Sequence, residues 1–156
     1  MDACESDKDL LRVFACLHDG TLDGIRGDVP GLVVMRVDIE YLAETIAPGE
    51  TAIDVILHDC RVATYELYGS PGRASLTEEP TIGWTLLGAQ WSEEDAVVEI
   101  SCAEGILRIG CGSVALQLGS TRVLSLESLD HASVRYWDAW ERKSKRHRDG
   151  SSADGP

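Results

Sequence analysis

Apolar and polar residues alternate along much of this chain. Over residues 32–42, Val33, Met35, Val37, Ile39 and Tyr41 fall on one face, and Val34, Arg36, Asp38 and Glu40 on the other. A strand with one buried and one wet face has this period of two. Pro30-Gly31 marks the turn into it and Pro48-Gly49 the loop after it. Residues 41–46 also fit a short helical turn, because Ala43 and Glu44 favour one; that end is read both ways. Residues 52–57 and 61–68 give two more strands, and the short link at His58-Asp59 predicts that they form a hairpin. A loop rich in Gly, Pro and Ser follows over residues 69–80. Four further strands are predicted over 84–91, 96–102, 106–111 and 114–118, with a short last one over 122–127. Turn residues separate them, among them Ser92-Glu93-Glu94-Asp95, Glu104-Gly105 and Gly112-Ser113.

Only the C-terminal stretch changes period. Asp130 is placed to cap a helix, and Val134, Tyr136, Trp137 and Trp140 gather on one side of it. Such a face covers an open end or face of the sheet; the sharper reading leaves Trp137 and Trp140 as an exposed anchor for a partner. The pattern therefore predicts a β-rich domain, all-β to α+β. Its form is an antiparallel sandwich or curved sheet of about eight strands with a C-terminal amphipathic helix. Residues 1–8 and 149–156 are expected to be disordered ends around one domain over 9–148.

Charge adds a direction to this picture. The 156 residues hold 27 Asp and Glu against 14 Lys and Arg, a formal net charge of -13. Six of the basic residues lie at or beyond Arg135, so the body before them carries eight basic and twenty-three acidic residues. A body that negative repels phosphate backbones and anionic membranes and attracts basic protein surfaces. Nucleic acid and membrane are thus not expected as partners, and a basic protein is. No apolar run approaches the ~18 residues a membrane span needs, and the polar, acidic start MDACESDKD is unlike a secretory signal. Five cysteines, an odd number without CxxC spacing, fit a reducing compartment. The expected location is cytoplasmic.

Candidate chemistry is sparse. Leu17-His18-Asp19 and Leu57-His58-Asp59 repeat a tripeptide in which adjacent His and Asp offer metal ligands. A small metal-dependent hydrolase built on both pairs is one reading; the other is that both are turns, made by Asp and Gly through side-chain-to-backbone bonds and positive φ. GxSxG, GxxxxGK[ST] and HExxH are all absent from the sequence, and no cofactor is expected. The carboxylates best placed for a basic partner are Asp38, Glu40, Asp54, Glu78, Glu79, Glu93, Glu94 and Asp95, on strand faces and loops, beside Trp137 and Trp140.

The order His18-Asp19-Gly20-Thr21-Leu22, then Ile25, the strand at 32–42, and Leu57 through Cys60 leading into Tyr65-Glu66 resembles small uncharacterised bacterial β-rich proteins. Some of these are similar to immunity proteins of contact-dependent or polymorphic toxin systems. The resemblance spans residues 17–68 and the end from Tyr136-Trp137 to Trp140. It implies a stoichiometric, non-catalytic inhibitor of a basic toxin domain. Such proteins share no inhibitory motif, so no inhibitory residue carries over. A housekeeping interaction domain, whose acidity serves solubility alone, is the remaining reading.

Overall fold

A computed structural model describes residues 2–70, 72–78, 83–119 and 122–153. The fold is β-rich, with ten antiparallel strands among the described residues and a long C-terminal helix. In chain order the strands are β1 (Thr21–Gly27), β2 (Gly31–Asp38), β3 (Ala52–Cys60), β4 (Val62–Leu67), β5 (Ala74–Ser75), β6 (Trp84–Ser92), β7 (Val97–Cys102), β8 (Gly105–Gly110), β9 (Ser113–Leu118) and β10 (Val123–Leu124). They form one sheet in the order β10-β9-β3-β2-β1-β6-β7-β8-β4-β5. Helices α1 (Glu5–Cys16), α2 (Glu40–Ile46) and α3 (Leu126–Ala153) complete it. No helix among the described residues is long and apolar enough to cross a membrane.

The alternation of β2 works as expected: Val33, Met35 and Val37 are buried and Val34, Arg36 and Asp38 face outward. Ile53, Val55 and Leu57 of β3 and Val98, Ile100 and Cys102 of β7 join them in one core. In β1, Leu22 and Ile25 are both buried although three residues apart. A bulge between Leu22 and Gly24 supplies the extra residue that returns Ile25 to the inner face. β1 meets β6 through only two residue pairs, Thr21 with Thr85 and Leu22 with Trp84, so the sheet is narrow at its middle.

The hairpin expected at His58-Asp59 does not form. β3 pairs with β2 and β9, whereas β4 pairs with β8 and β5. The chain turns a corner there and passes from one half of the sheet to the other; β8 running into β9 turns the same corner from the opposite side. Asp59 takes φ 49, a left-handed conformation that Asp tolerates, and this bends the strand without reversing it.

Residues 1–8 were expected to be disordered, yet α1 begins at Glu5. Asp7 accepts the Cys4 N–H at 3.0 Å, closing the start of the helix, and Glu5 and Asp7 complement its positive end. Leu10, Val13, Phe14 and Leu17 then recur at helical spacing, all buried. α1 packs on β6, β7 and β9, so it is part of the core.

α3 also departs from expectation. Its first turn is capped by Ser125, whose Oγ accepts the Ser128 N–H at 3.1 Å; Asp130 instead faces α1, paired with Arg12. Val134 is 61% exposed. At about 100° per residue it falls outside the stripe made by Leu129, Ala132, Ser133, Tyr136, Trp137 and Trp140. That stripe packs against α1 and α2 more than against the sheet. The helix continues to Ala153, past the Arg148 boundary expected for the ordered domain.

Candidate functional site

Where β2 ends and α2 begins, the chain leaves an open cleft of about 560 Å³. Asp38 closes β2, Glu40 opens α2, and Tyr41 and Glu44 follow on the same short helix. Asp19 enters from the turn between α1 and β1, and Tyr136 from α3. Four carboxylates thus surround two aromatic rings. Asp19, Asp38, Glu40 and Glu44 are all exposed, and among the described residues no Lys or Arg forms an ion pair with any of them; His18 Nε2 lies 4.0 Å from Asp19, and Glu44 accepts the Gly49 N–H at 2.7 Å.

The cleft is held from beneath by aromatic stacking. Tyr41 and Tyr136 lie with ring centroids 4.3 Å apart, and Trp137 stacks on His18 at 4.8 Å with the planes 17° apart. Trp137 also meets both tyrosines edge-on, and Trp140 packs edge-on against Trp137 at 5.9 Å. The Tyr41 hydroxyl donates to the His18 carbonyl at 2.8 Å. Burial, then the charge of Asp19, pushes its pKa up to about 12, so it stays a donor across the working pH range. Asp38 is also shifted upward, first by burial and then by the charge of Asp23. The Arg36 guanidinium offsets part of that shift.

The two His-Asp pairs do not converge. Asp19 and Asp59 both adopt positive φ, as turn residues do. His18 is partly buried and its Nδ1 bonds the Ala15 carbonyl at 2.9 Å. It sits at the end of the sheet where Thr21, Asp38 and Ala52 lie side by side. His58 is six residues farther along β3, roughly 20 Å in an extended strand. Among the described residues no three His, Cys, Asp or Glu side chains are grouped to hold a metal ion.

The other residues singled out from the sequence separate into distinct places. Asp54 lies on the outer face of β3, but it is only 4% exposed and faces Arg36, which donates to it at 3.1 Å. Asp54 is therefore a structural partner and not a free contact. Glu93 and Glu94 are exposed at the β6–β7 turn, while Asp95 there is engaged by Arg73 and lies near Arg108. That turn is up to roughly 23 Å along β6 from the cleft. Glu78 is exposed in a short 3-10 helix, and Glu79 lies outside the described residues. Of the acids, only Asp38 and Glu40 belong to the cleft. Tyr41, Glu44, Tyr136 and Asp19, the last read from the sequence as a candidate metal ligand, complete it without having been expected as partner contacts; Asp19 and Tyr136 come from segments far from Asp38 and Glu40 in the chain. A second depression, of about 480 Å³ beside the start of α3, mixes Arg122, His131 and Arg135 with Glu127.

Trp137 and Trp140 behave differently from one another. Trp137 is half-buried under the stack, whereas Trp140 is 53% exposed at its outer edge. Replacing Trp140 by Ala is expected to cost less than about 1 kcal/mol of stability, and replacing Trp137 about 2–3 kcal/mol. Urea denaturation of the two variants checks the difference.

The chain matches no known protein family, and no curated protein and no solved structure matches it.

Proposed function

We propose that this protein is a non-catalytic acidic binding domain whose cleft receives a Lys or Arg side chain from a basic protein partner. One observation carries the reading: four exposed carboxylates, none in an ion pair with Lys or Arg among the described residues, line one cleft with the Tyr41 and Tyr136 rings, and Trp140 is exposed on the far side of Trp137. Carboxylates attract the charged head of such a side chain, ring faces accept it by cation–π contact, and an exposed Trp supplies the apolar anchor that binding hot spots favour. The net charge of -13 adds long-range attraction that speeds encounter and falls with salt. The sharpest form of the proposal is an immunity-type inhibitor that occupies a basic toxin domain stoichiometrically.

The test is co-purification from the native host with the wild-type protein and with an Asp38→Asn, Glu40→Gln, Tyr136→Ala variant, followed by identification of what is retained. A basic protein held by the wild type in low salt, and lost from the variant, is the expected result. Burial and the charge of Asp23 raise the Asp38 pKa from its ordinary value, so lowering the pH is expected to weaken retention as Asp38 takes up a proton. Equal retention by both proteins contradicts the proposal. The inhibitor form further requires that the retained protein be an enzyme silenced at one-to-one ratio.

A further inference from the structure

The corner where β3 runs into β4 and β8 runs into β9 brings two cysteines face to face. His58 is paired with Ser113 on one side of the corner and Val62 with Gly110 on the other, so three residues of one strand face two of the other, and the hydrogen bonds across this bulge decide which residue lies opposite Cys111. The Arg61 N–H donates to the Gly110 carbonyl at 2.8 Å, and the Gly112 N–H is shared between the His58 carbonyl at 2.8 Å and the Asp59 carbonyl at 3.2 Å. The bonds to Gly110 and Asp59 flank Cys60 and Cys111 in the manner of a narrow, non-hydrogen-bonded antiparallel pair, in which Cα atoms typically lie about 4.5 Å apart, and the two thiols are close enough to act on one another electrostatically. Residues opposed in this way point to the same face, and both side chains are buried in the core. A disulfide accepts Cα separations of roughly 4.4–6.8 Å, so the narrow pair meets its requirement with little backbone movement. The corner is tight: a Cβ on Gly112 would lie 2.9 Å from the Asp59 Cβ, which leaves room for glycine only.

We infer that Cys60 and Cys111 are a built disulfide site, two free thiols in the reduced protein that a peroxide-class oxidant joins into one bond. One sulfur attacks a peroxide oxygen as thiolate; the O–O bond breaks, hydroxide leaves and a sulfenic acid remains. The second sulfur attacks that sulfur, the S–S bond forms, the S–O bond breaks, and the departing hydroxide takes up the proton released by the second thiol. In sum, two thiols lose two hydrogens and one hydrogen peroxide becomes two waters. The bond ties the two halves of the sheet together at the corner and closes the chain between them into a loop, which restricts the unfolded state. Burial pushes the Cys111 thiol up to about 12 and raises that of Cys60 too, so the bond forms at the pace at which the corner opens.

The experiment treats the intact reduced protein with hydrogen peroxide in buffer without denaturant, then unfolds it, alkylates the remaining thiols and analyses the peptides by mass. The expected product is the Cys60 peptide joined to the Cys111 peptide, lighter by two hydrogens and separated by dithiothreitol, with Cys102 still alkylated. The oxidised protein is also expected to unfold at a higher urea concentration than the reduced one. Cys60 and Cys111 recovered separately, whether alkylated or as sulfinic acids, would overturn the inference, and so would either one joined to Cys4 or Cys102.

Discussion

Phe14→Ala is expected to lower the stability of this protein by about 3–5 kcal/mol, measured by urea denaturation. Phe14 is 1% exposed and is the only phenylalanine in the chain. It sits on the inner side of α1 between Val13 and Leu17, where the helix meets β6, β7 and β9. Removing the ring leaves a cavity that a closely packed core fills only in part. A loss below about 1 kcal/mol would mean that α1 lies outside the core and that the polar start of the chain governs it. The contrast with an exposed site is sharp: Glu78→Gln is expected to stay within about 0.5 kcal/mol of the wild type.

Arg108→Met is the second large effect, expected at about 2–3 kcal/mol. Arg108 lies on the outer face of β8, opposite Glu99 of β7 and Thr64 of β4, and is 7% exposed. Its guanidinium meets Glu66 at 3.0 Å, Glu99 at 3.3 Å and Asp95 at 3.5 Å, and Arg73 meets Asp95 from outside at 3.1 Å. Methionine keeps the apolar stem but leaves three carboxylates facing one another around it. Removing one member of a buried charge group typically costs about 3–5 kcal/mol, and the partial exposure of Glu66 and Asp95 reduces the figure here. Raising the salt concentration screens the residual repulsion, so part of the loss is expected to return in high salt. A variant as stable as the wild type at all salt concentrations would show that water alone satisfies these carboxylates.

The strands were legible where one residue in two must be buried. Val33, Met35 and Val37 declare β2 by alternation, and Glu104-Gly105 and Gly112-Ser113 delimit β8 and β9. What the pattern conceals is tertiary. The link at His58-Asp59 is as short as a hairpin turn, and only the pairing partners of β3 and β4 reveal a corner. α1 carries a readable spacing in Leu10, Val13, Phe14 and Leu17, but the acidic residues before it suggest a loose end. The cleft was half legible. Asp38 and Glu40 looked like neighbours on one strand face; they share the cleft because the strand stops between them and a helix begins. Asp19 and Tyr136 reach the same place only through the packing of α3 against both α1 and α2, which no local pattern encodes. Asp54 shows the converse, since an acid on an outward strand position is removed from solvent by the Arg36 directly across from it.

The proposed basic partner is expected to touch the cleft and not the β6–β7 turn. Hydrogen–deuterium exchange on the complex with the retained basic protein locates that contact without altering a residue. Slower exchange is expected in α2 and in α3 around Tyr136 to Trp140, with the β6–β7 turn at Glu93 and Glu94 unchanged. Protection confined to that turn, with α2 exchanging as it does in the free protein, would contradict the account.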